Sequence, residues 1–246
     1  MKHRTAALVA LILLVTFAHQ AGAWHDKTHL AVCRAAGHDL WFNCAAPDIA
    51  KLKAHSREAY NHWFNNIAEV EVTPRMVLEQ VERYNKANRR LDSEGHLPGA
   101  IIGALRAYKK DLQRGKYALY HLVYCGHYIG DLTMPLHMIA YDGFNKKHHL
   151  ANDGIVEETI LDEPEKITQY MYEIKLGDNS FEDDLAREIA RIANLTRKLG
   201  YKLRAENRVM TQQEACVQLG HSASLFQAVL RHYKKPAPPP DIQAEK

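Results

Sequence analysis

The stretch that decides the fold is 185-LAREIARIANLTRKL-199, in which apolar side chains recur every three or four residues. That spacing puts the apolar side chains on one face of an α-helix and the charged side chains on the opposite face. The apolar positions are Leu185, Ile189, Ile192, Leu195 and Leu199. The stretch therefore predicts a long amphipathic helix that packs against a hydrophobic core.

The same spacing recurs outward from this stretch, and few alternating β-branched runs compete with it. It covers the ranges 76–84, 105–112 and 117–123. Two helix starts carry their usual signals: Pro74 follows Thr73 in a first turn, and Thr211 precedes Glu214 at the spacing of a capping box. The sequence predicts an all-α fold, a single compact multi-helix domain over residues 24–233, without an internal repeat or a glycine-rich phosphate loop.

The composition is that of a folded globular protein. The chain has 246 residues, of which 46% are hydrophobic and 25% are charged, enough for one large domain or two small ones. The formal net charge is only +3 and no long basic run occurs in the body, so binding of duplex nucleic acid by counterion release is not expected. The 15 histidines favour a metal site, because imidazole is the commonest metal ligand.

The two ends of the chain are predicted to lie outside the domain. Residues 1–23 have the features of a secretory signal: a basic start, an apolar run over 6–17 and small residues at 21–23. The run is too short for a permanent transmembrane helix, so we expect an exported protein, periplasmic or extracellular, that begins at Trp24 and has no membrane span. Residues 234–246 contain four prolines and predict an extended, mobile tail.

Export to an oxidising compartment permits disulfide bonds among the four cysteines. The four are Cys33, Cys44, Cys125 and Cys216. They allow three pairing schemes, and the sequence does not choose among them. Because the chain contains no Cys-x-x-Cys pair, a thiolate zinc site is not expected.

The stretch 127-HYIGDLTMPLH-137 has the residue types and the spacing of a metal site. His127 and Asp131 are four residues apart, so on a helix both side chains project from one face and can reach one ion. Pro135 interrupts that helix and lets His137 turn toward a neighbouring ion. Solvated helix faces produce such pairs by chance, but this pair lies in an apolar run, where unpaired polar groups are costly.

Two further His and Asp pairs flank this stretch. His149 and Asp153 repeat the four-residue spacing. Asp48 and His62 add a carboxylate and an imidazole, but fourteen residues of straight helix would hold them about 21 Å apart. They can therefore share an ion only if the segment between them bends or breaks.

The predicted mature N-terminus adds another candidate ligand. After cleavage, Trp24 has a free amine with a pKa of about 8, which leaves a neutral fraction near pH 7. The amine and the carbonyl of Trp24 can chelate a metal ion together. His29, five residues further on, can complete that site.

Taken in order, these motifs resemble the superfamily of trinuclear-zinc hydrolases that contains bacterial zinc-dependent phospholipase C and the secreted single-strand nucleases. The matching motifs are Trp24-x4-His29, Pro47-Asp48, His62-Trp63-Phe64, His127-Tyr-Ile-Gly-Asp131-x3-Pro-Leu-His137 and His149-x3-Asp153. The match runs from residue 24 to residue 153, and the later helices match only in being helical. The resemblance implies hydrolysis of phosphate esters with three zinc ions.

The resemblance also implies which residues bind each ion. The first ion takes Asp48, His62, His127 and Asp131. The second takes His137, His149 and Asp153. The third takes the amine and carbonyl of Trp24, His29 and the other oxygen of Asp131. Asp48 is then the catalytic residue that orients or deprotonates the attacking water. Nitrogen and carboxylate ligands of this kind suit zinc.

Two substrate classes compete under this resemblance. The spacing between Trp24 and His29 and the carboxylate of Asp153 resemble the nucleases, whereas the short gap from His137 to His149 resembles phospholipase C. We favour a phospholipid over single-stranded nucleic acid. Aromatic residues beside the ligands are candidates for substrate binding, although such residues more often pack the helices. They are Trp63, Phe64, Tyr128, Tyr141 and Phe144.

A different class of function is an exported zinc-binding protein without turnover. That alternative predicts metal binding that survives Asp48→Asn and no hydrolysis to lose. The enzyme hypothesis predicts that Asp48→Asn or His137→Ala abolishes phosphodiester cleavage while the fold remains. We expect a monomer that attracts phosphate mainly through its zinc, because two of the three units of net charge belong to the export signal.

Overall fold

The computed structural model describes residues 24–54, 57–86 and 94–234, and within these ranges the chain forms helices and no β-strand. The α-helices are α1 (Asp26–Ala35), α2 (Ala46–Ala54), α3 (Pro74–Val81), α4 (Leu97–Gln113), α5 (Tyr120–Leu132), α6 (Gly143–Asp153), α7 (Glu165–Thr168), α8 (Phe181–Glu206) and α9 (Gln212–Lys234). Short 3₁₀ turns lie at Trp41–Asn43, Ala59–Asn61 and Pro135–His137. The all-α prediction is confirmed.

Helix α5 is the centre of the structure. It packs against α1, α2, α4, α8 and α9. From His121 to Leu132 its side chains are buried except for that of Tyr124, which is partly exposed. A helix that is buried over most of its length is typical of the interior of a large domain. The neighbours of α5 therefore keep His127 and Asp131 away from water.

Both predicted helix starts are confirmed by their capping bonds. Thr73 Oγ1 accepts a hydrogen bond from the amide of Met76 at 3.2 Å at the start of α3. At the start of α9, the amide of Glu214 donates to Thr211 Oγ1 at 3.1 Å, and Glu214 Oε2 accepts from the amide of Thr211 at 2.9 Å. This reciprocal pair is the capping box that the sequence predicts.

One predicted helical stretch begins later than the sequence suggests. The periodic run starts at Tyr117, but α5 starts at Tyr120. The reason is the end of α4, where Gly115 has a φ of +66° and the amide of Lys116 donates to the carbonyl of Asp111 at 2.9 Å. Such a left-handed glycine ends a helix and reverses the chain, so the next residues form the connection.

The cysteine pairing left open by the sequence is resolved. Cys33 and Cys44 form a disulfide bond, with their Cα atoms 6.6 Å apart, whereas Cys125 and Cys216 are free and buried. The bond ties the end of α1 to the segment that leads into α2. Disulfide bonds persist in oxidising compartments, which agrees with the expectation of export.

The predicted signal at 1–23 and the tail beyond Lys234 lie outside the described residues. Among the helices that are described, none combines the length and the apolar character needed to cross a bilayer.

Candidate metal centre

Helix α5 supplies the first two side chains of the centre. His127 and Asp131 lie one turn apart and are fully buried, and Nε2 of His127 is 3.3 Å from Oδ2 of Asp131. The helix ends at Leu132, and His137 lies in the 3₁₀ turn that follows. The predicted interruption before His137 is thus present, and Nδ1 of His137 lies 3.6 Å from Oδ1 of Asp131.

The segment between Asp48 and His62 breaks, as sharing an ion requires. Asp48 lies in the first turn of α2, which ends at Ala54, and His62 follows the 3₁₀ turn at 59–61. The chain therefore folds back, and Nδ1 of His62 lies 3.7 Å from Oδ1 of Asp48. The same nitrogen is 2.9 Å from Oδ2 of Asp131.

Eight of the predicted ligand side chains form three groups, within each of which the potential ligand atoms lie within 4.8 Å of one another. The groups are His29, His127 and Asp131; Asp48, His62 and His127; and His137, His149 and Asp153. The second and third groups follow the partition that the resemblance implies, except that Asp131 is not grouped with Asp48. In the first group His127 joins His29, and their rings stack with centroids 3.7 Å apart. The structure shows that these His and Asp clusters could hold metal ions.

Trp24 lies beside the same cluster. Its side chain is buried, and its indole nitrogen donates to the carbonyl of Gly130 at 3.1 Å, next to Asp131 in the chain. The amide of His25 donates to the carbonyl of Asp153 at 3.4 Å. The segment at the predicted mature N-terminus is therefore anchored between the two stretches that supply Asp131 and Asp153.

Three imidazoles are held through Nδ1, which bonds to an oxygen outside the three groups, and in His127 and His149 the other ring nitrogen faces a carboxylate of the centre. Nδ1 of His127 donates to the carbonyl of Cys44 at 2.8 Å, and Nδ1 of His137 donates to the carbonyl of His62 at 2.6 Å. Nδ1 of His149 donates to Oδ1 of Asn145 at 2.7 Å. In His62 the ring is turned the other way: Nε2 lies 3.3 Å from Oε1 of Glu58 without a hydrogen bond, and Nδ1 faces Asp131. Fixing one nitrogen sets the ring orientation and the tautomer of a metal-binding histidine.

Several buried polar atoms of the clusters lack the partners that burial demands. Both carboxylate oxygens of Asp153, Oδ1 of Asp131 and both ring nitrogens of His29 have no hydrogen-bond partner among the described residues. Orphaned buried polar atoms are rare in folded proteins and are expensive. Cations bound within the groups would supply the missing partners, so the residues present fit metal ions.

The pKa values of the carboxylates also favour a bound metal ion. Burial raises the pKa of Asp153 well above its usual value, and the nearby carboxylate of Asp131 adds to the rise. Burial would also raise the pKa values of Asp131 and Asp48, but the charges of neighbouring histidines, foremost His127, lower both below their usual range. Oδ2 of Asp153 lies 3.5 Å from Nε2 of His149, yet burial still keeps the pKa of Asp153 high, and a bound ion would supply the charge that lowers it.

The centre is closed to solvent on most sides. Asp48 has the most exposed side chain of the eight, at 19%, and His149 follows at 10%. Lys51, one turn along α2, donates from Nζ to Oδ1 of Asp48 at 2.6 Å. The centre is therefore most open to solvent at the Asp48 side, where a lysine already pairs with the carboxylate.

The aromatic candidates for substrate binding divide into two kinds. Tyr128 and Phe64 are buried and belong to the hydrophobic core, which favours packing for them. Trp63, Tyr141 and Phe144 keep exposed surface. Only these three can present a ring face to a substrate in this conformation.

Residues that support the centre were missed by the sequence analysis. Glu58 precedes His62 by four residues, and Asn145 precedes His149 by four, so the helical spacing that revealed the His and Asp pairs could also have revealed these two. The carbonyls of Cys44 and His62 could not have been found in this way, because every residue has a backbone carbonyl and the sequence does not show which ones form hydrogen bonds.

Comparison with known proteins does not place the chain in a family: no family model, no curated protein and no solved structure matches it. The chemistry of the centre therefore follows from its own side chains. The resemblance described above stays a prediction.

Proposed function

We propose that the chain is an exported zinc-dependent hydrolase of phosphodiester bonds that acts on phospholipids. The observation that carries the proposal is the convergence of eight His and Asp side chains into three adjoining groups, with carboxylate oxygens that lack hydrogen-bond partners. A structural role alone does not explain the buried carboxylates of Asp131 and Asp153 and the partly buried one of Asp48 around shared imidazoles. Buried charges are normally paired or bound to metals.

The donor set supports zinc and three sites. All side-chain donors are imidazole nitrogens and carboxylate oxygens, which zinc accepts, and no thiol takes part. Asp48, His62 and His127 would hold one ion, and His137, His149 and Asp153 a second. His29 and Asp131 would hold a third, together with the amine and carbonyl of Trp24 once the chain is cut before that residue.

Zinc, when bound, supplies positive charge that attracts an anionic phosphodiester, acidifies water and stabilises the leaving oxygen. The side chains of the protein position the water and the phosphate group. Asp48 lies at the open side of the centre, so its carboxylate is placed to accept a hydrogen bond from water and orient it toward phosphorus. His127 and His149, each fixed through Nδ1, keep their Nε2 atoms in place. Lys51 is placed to attract the phosphate oxygens at the same opening.

Zinc stoichiometry combined with parallel assays on phosphatidylcholine and single-stranded DNA tests the proposal. We expect about three zinc ions per chain and release of a phosphorylated head group, as the resemblance implies. Asp48→Asn should abolish turnover with the helical circular dichroism unchanged, and Asp39→Asn on the exposed surface serves as a matched control. Zinc binding without turnover of any phosphodiester would instead support the non-catalytic zinc-binding protein.

A single-strand nuclease is the second candidate. It is favoured by the spacing His149-x3-Asp153, in which the nuclease branch of the resemblance carries the same carboxylate. Cleavage of single-stranded DNA with no release from phosphatidylcholine would decide for it.

A further inference from the structure

The connection between α4 and α5 exposes an unusual set of apolar side chains. Leu112, Tyr117, Leu119 and Tyr120 are 57%, 67%, 42% and 41% exposed, respectively. Single exposed apolar residues are ordinary, whereas a group within one short connection marks an interaction surface. Two of the four contact each other directly, since the rings of Tyr117 and Tyr120 stack with centroids 6.4 Å apart.

Basic side chains surround these apolar ones. Lys110, Arg114 and Lys116 are exposed, and none has a carboxylate within ion-pair distance in the part of the chain that the structure describes. The nearby acid, Asp111, is already engaged, because Oδ2 accepts from the hydroxyl of Tyr120 and contacts Nε2 of His121, both at 3.1 Å. The connection therefore carries a local positive charge on a chain that is close to neutral overall.

The connection is held in one conformation. Besides the left-handed Gly115 and its bonds, the hydroxyl of Tyr120 ties the start of α5 back to the end of α4. Ala118 is buried beneath the connection and anchors it to the domain. A surface that is already ordered loses little conformational entropy on binding.

We propose that this surface, residues 110–120, attaches the protein to an anionic phospholipid bilayer. Tyrosine and leucine side chains insert at the boundary of head groups and acyl chains, and lysine and arginine side chains pair with anionic head groups. The leucines favour a bilayer over single-stranded nucleic acid as the partner. Proteins that bind single strands stack the bases on aromatic rings, and exposed Leu112 and Leu119 would add little to such binding.

Helix α5 joins this surface to the metal centre. Tyr120 precedes His127 by seven residues and Asp131 by eleven, which corresponds to about 10 and 16 Å along the helix axis. Attachment would bring the centre close to the phospholipids that the proposed function assigns as substrate, and in that respect the inference rests on the proposed function. Binding to a bilayer is nevertheless a separate event that needs no turnover.

Co-sedimentation with vesicles tests the inference on the full zinc-loaded chain. The vesicles are pure phosphatidylcholine or an equal mixture of phosphatidylcholine and phosphatidylglycerol. We expect tighter binding to the mixture, weakened by salt. Arg114→Gln with Lys116→Gln should weaken it about 25-fold, at about fivefold per charge, whereas Lys175→Gln with Lys198→Gln removes two exposed charges elsewhere and should leave it unchanged.

The apolar part is tested by Leu112→Ser with Tyr117→Ser, matched by Ile67→Ser with Leu195→Ser on another face. Circular dichroism and the melting temperature show that each variant is folded. Equal binding by the surface and control variants, no vesicle binding by the wild type, or binding of a single-stranded oligonucleotide in its place would each overturn the inference. Hydrolysis of a soluble phosphodiester, measured on the same samples, reports separately on the proposed function.

Discussion

Oε1 of Glu58 lies 3.3 Å from Nε2 of His62, on the side of the imidazole that faces away from the metal centre. Glu58 is buried and also accepts the hydroxyl hydrogen of Tyr128 at 2.6 Å, while Asn61 donates to its other oxygen at 3.2 Å. The carboxylate is thus fixed from two directions. It lies beside Nε2 of His62, whose Nδ1 faces Asp131 and Asp48.

Glu58→Gln should therefore lower zinc affinity by about 10- to 100-fold, the usual cost of losing such an outer partner. The amide can still accept from Tyr128, so the fold should persist. Tyr128→Phe is the matched control, because it removes a bond to Glu58 and leaves the carboxylate beside His62. Competition with a chromogenic chelator measures the affinity, and an unchanged value in Glu58→Gln would show that His62 is positioned by its other neighbours.

Gly130 should resist substitution although it lies inside a helix. A Cβ atom there would come within 2.7 Å of Nδ1 of His29, closer than real side-chain contacts allow. In an open helix glycine to alanine stabilises by about 1 kcal/mol. Gly130→Ala should instead destabilise by about 1 to 3 kcal/mol and displace His29.

Gly143→Ala is the control for that variant, because nothing lies within 4 Å of a Cβ atom at that position in α6. Urea unfolding and zinc content measure the two effects. A Gly130→Ala protein with normal stability and full zinc content would contradict the assigned packing of His29.

Short-range patterns in the sequence predicted what depends on helical spacing. The helix over 185–199, the capping box at 211–214, and the pairs of His127 with Asp131 and of His149 with Asp153 all follow from residues three or four apart. Each of these relationships is fixed by the helix itself. Sequence periodicity is enough to reveal it.

Relationships across the chain could not be predicted in that way. The approach of Asp48 to His62 depends on where α2 ends, and the bond from His127 to Cys44 depends on tertiary packing and a backbone carbonyl. The bond between Cys33 and Cys44, with Cys125 and Cys216 left free, likewise depends on distances in the folded chain. The residue types allow all of these contacts without requiring them.

The disulfide bond should stabilise the fold and support the centre. It closes a loop with a sequence separation of 11, for which loop entropy predicts about 3 kcal/mol. Because the carbonyl of Cys44 accepts from Nδ1 of His127, the loosened loop should also lower zinc affinity. Cys33→Ser with Cys44→Ser should show both losses in urea unfolding and chelator competition, whereas Cys216→Ser should leave zinc affinity unchanged. Full zinc affinity in the double variant would show that the disulfide-closed loop does not support zinc binding.

The pair of Arg208 and Glu214 should make the stability sensitive to acid. Hydrogen bonds from Arg208 lower the pKa of Glu214 from 4.5 to about 2. A carboxylate with a lowered pKa stabilises the fold above its unfolded pKa, and that contribution disappears as the pH falls from about 4.5 to about 2.

Glu214→Gln should accordingly lower the melting temperature at neutral pH, by an amount that corresponds to at most about 1 kcal/mol for a partly exposed pair. The difference from the wild type should shrink across the acid range. Glu79→Gln, which removes an exposed partner of Arg75, is the control. If the difference in melting temperature between the wild type and Glu214→Gln stays constant from neutral to acid pH, it does not come from the lowered pKa of Glu214.

Asp153 should matter for zinc-dependent stability and little for the metal-free fold. Its carboxylate has no hydrogen-bond partner among the described residues, and burial raises its pKa, so in the absence of a cation its charge is a cost. Asp153→Asn should leave the melting temperature of the metal-free protein unchanged or higher. It should also remove much of the rise in melting temperature that zinc produces. A bound ligand stabilises the fold by an amount that grows with the logarithm of its concentration divided by its Kd. His148→Gln is the matched control, because His148 is next to His149 but contacts Asn207 instead. A metal-free Asp153→Asn protein that melts well below the wild type would show that Asp153 serves the fold and not an ion.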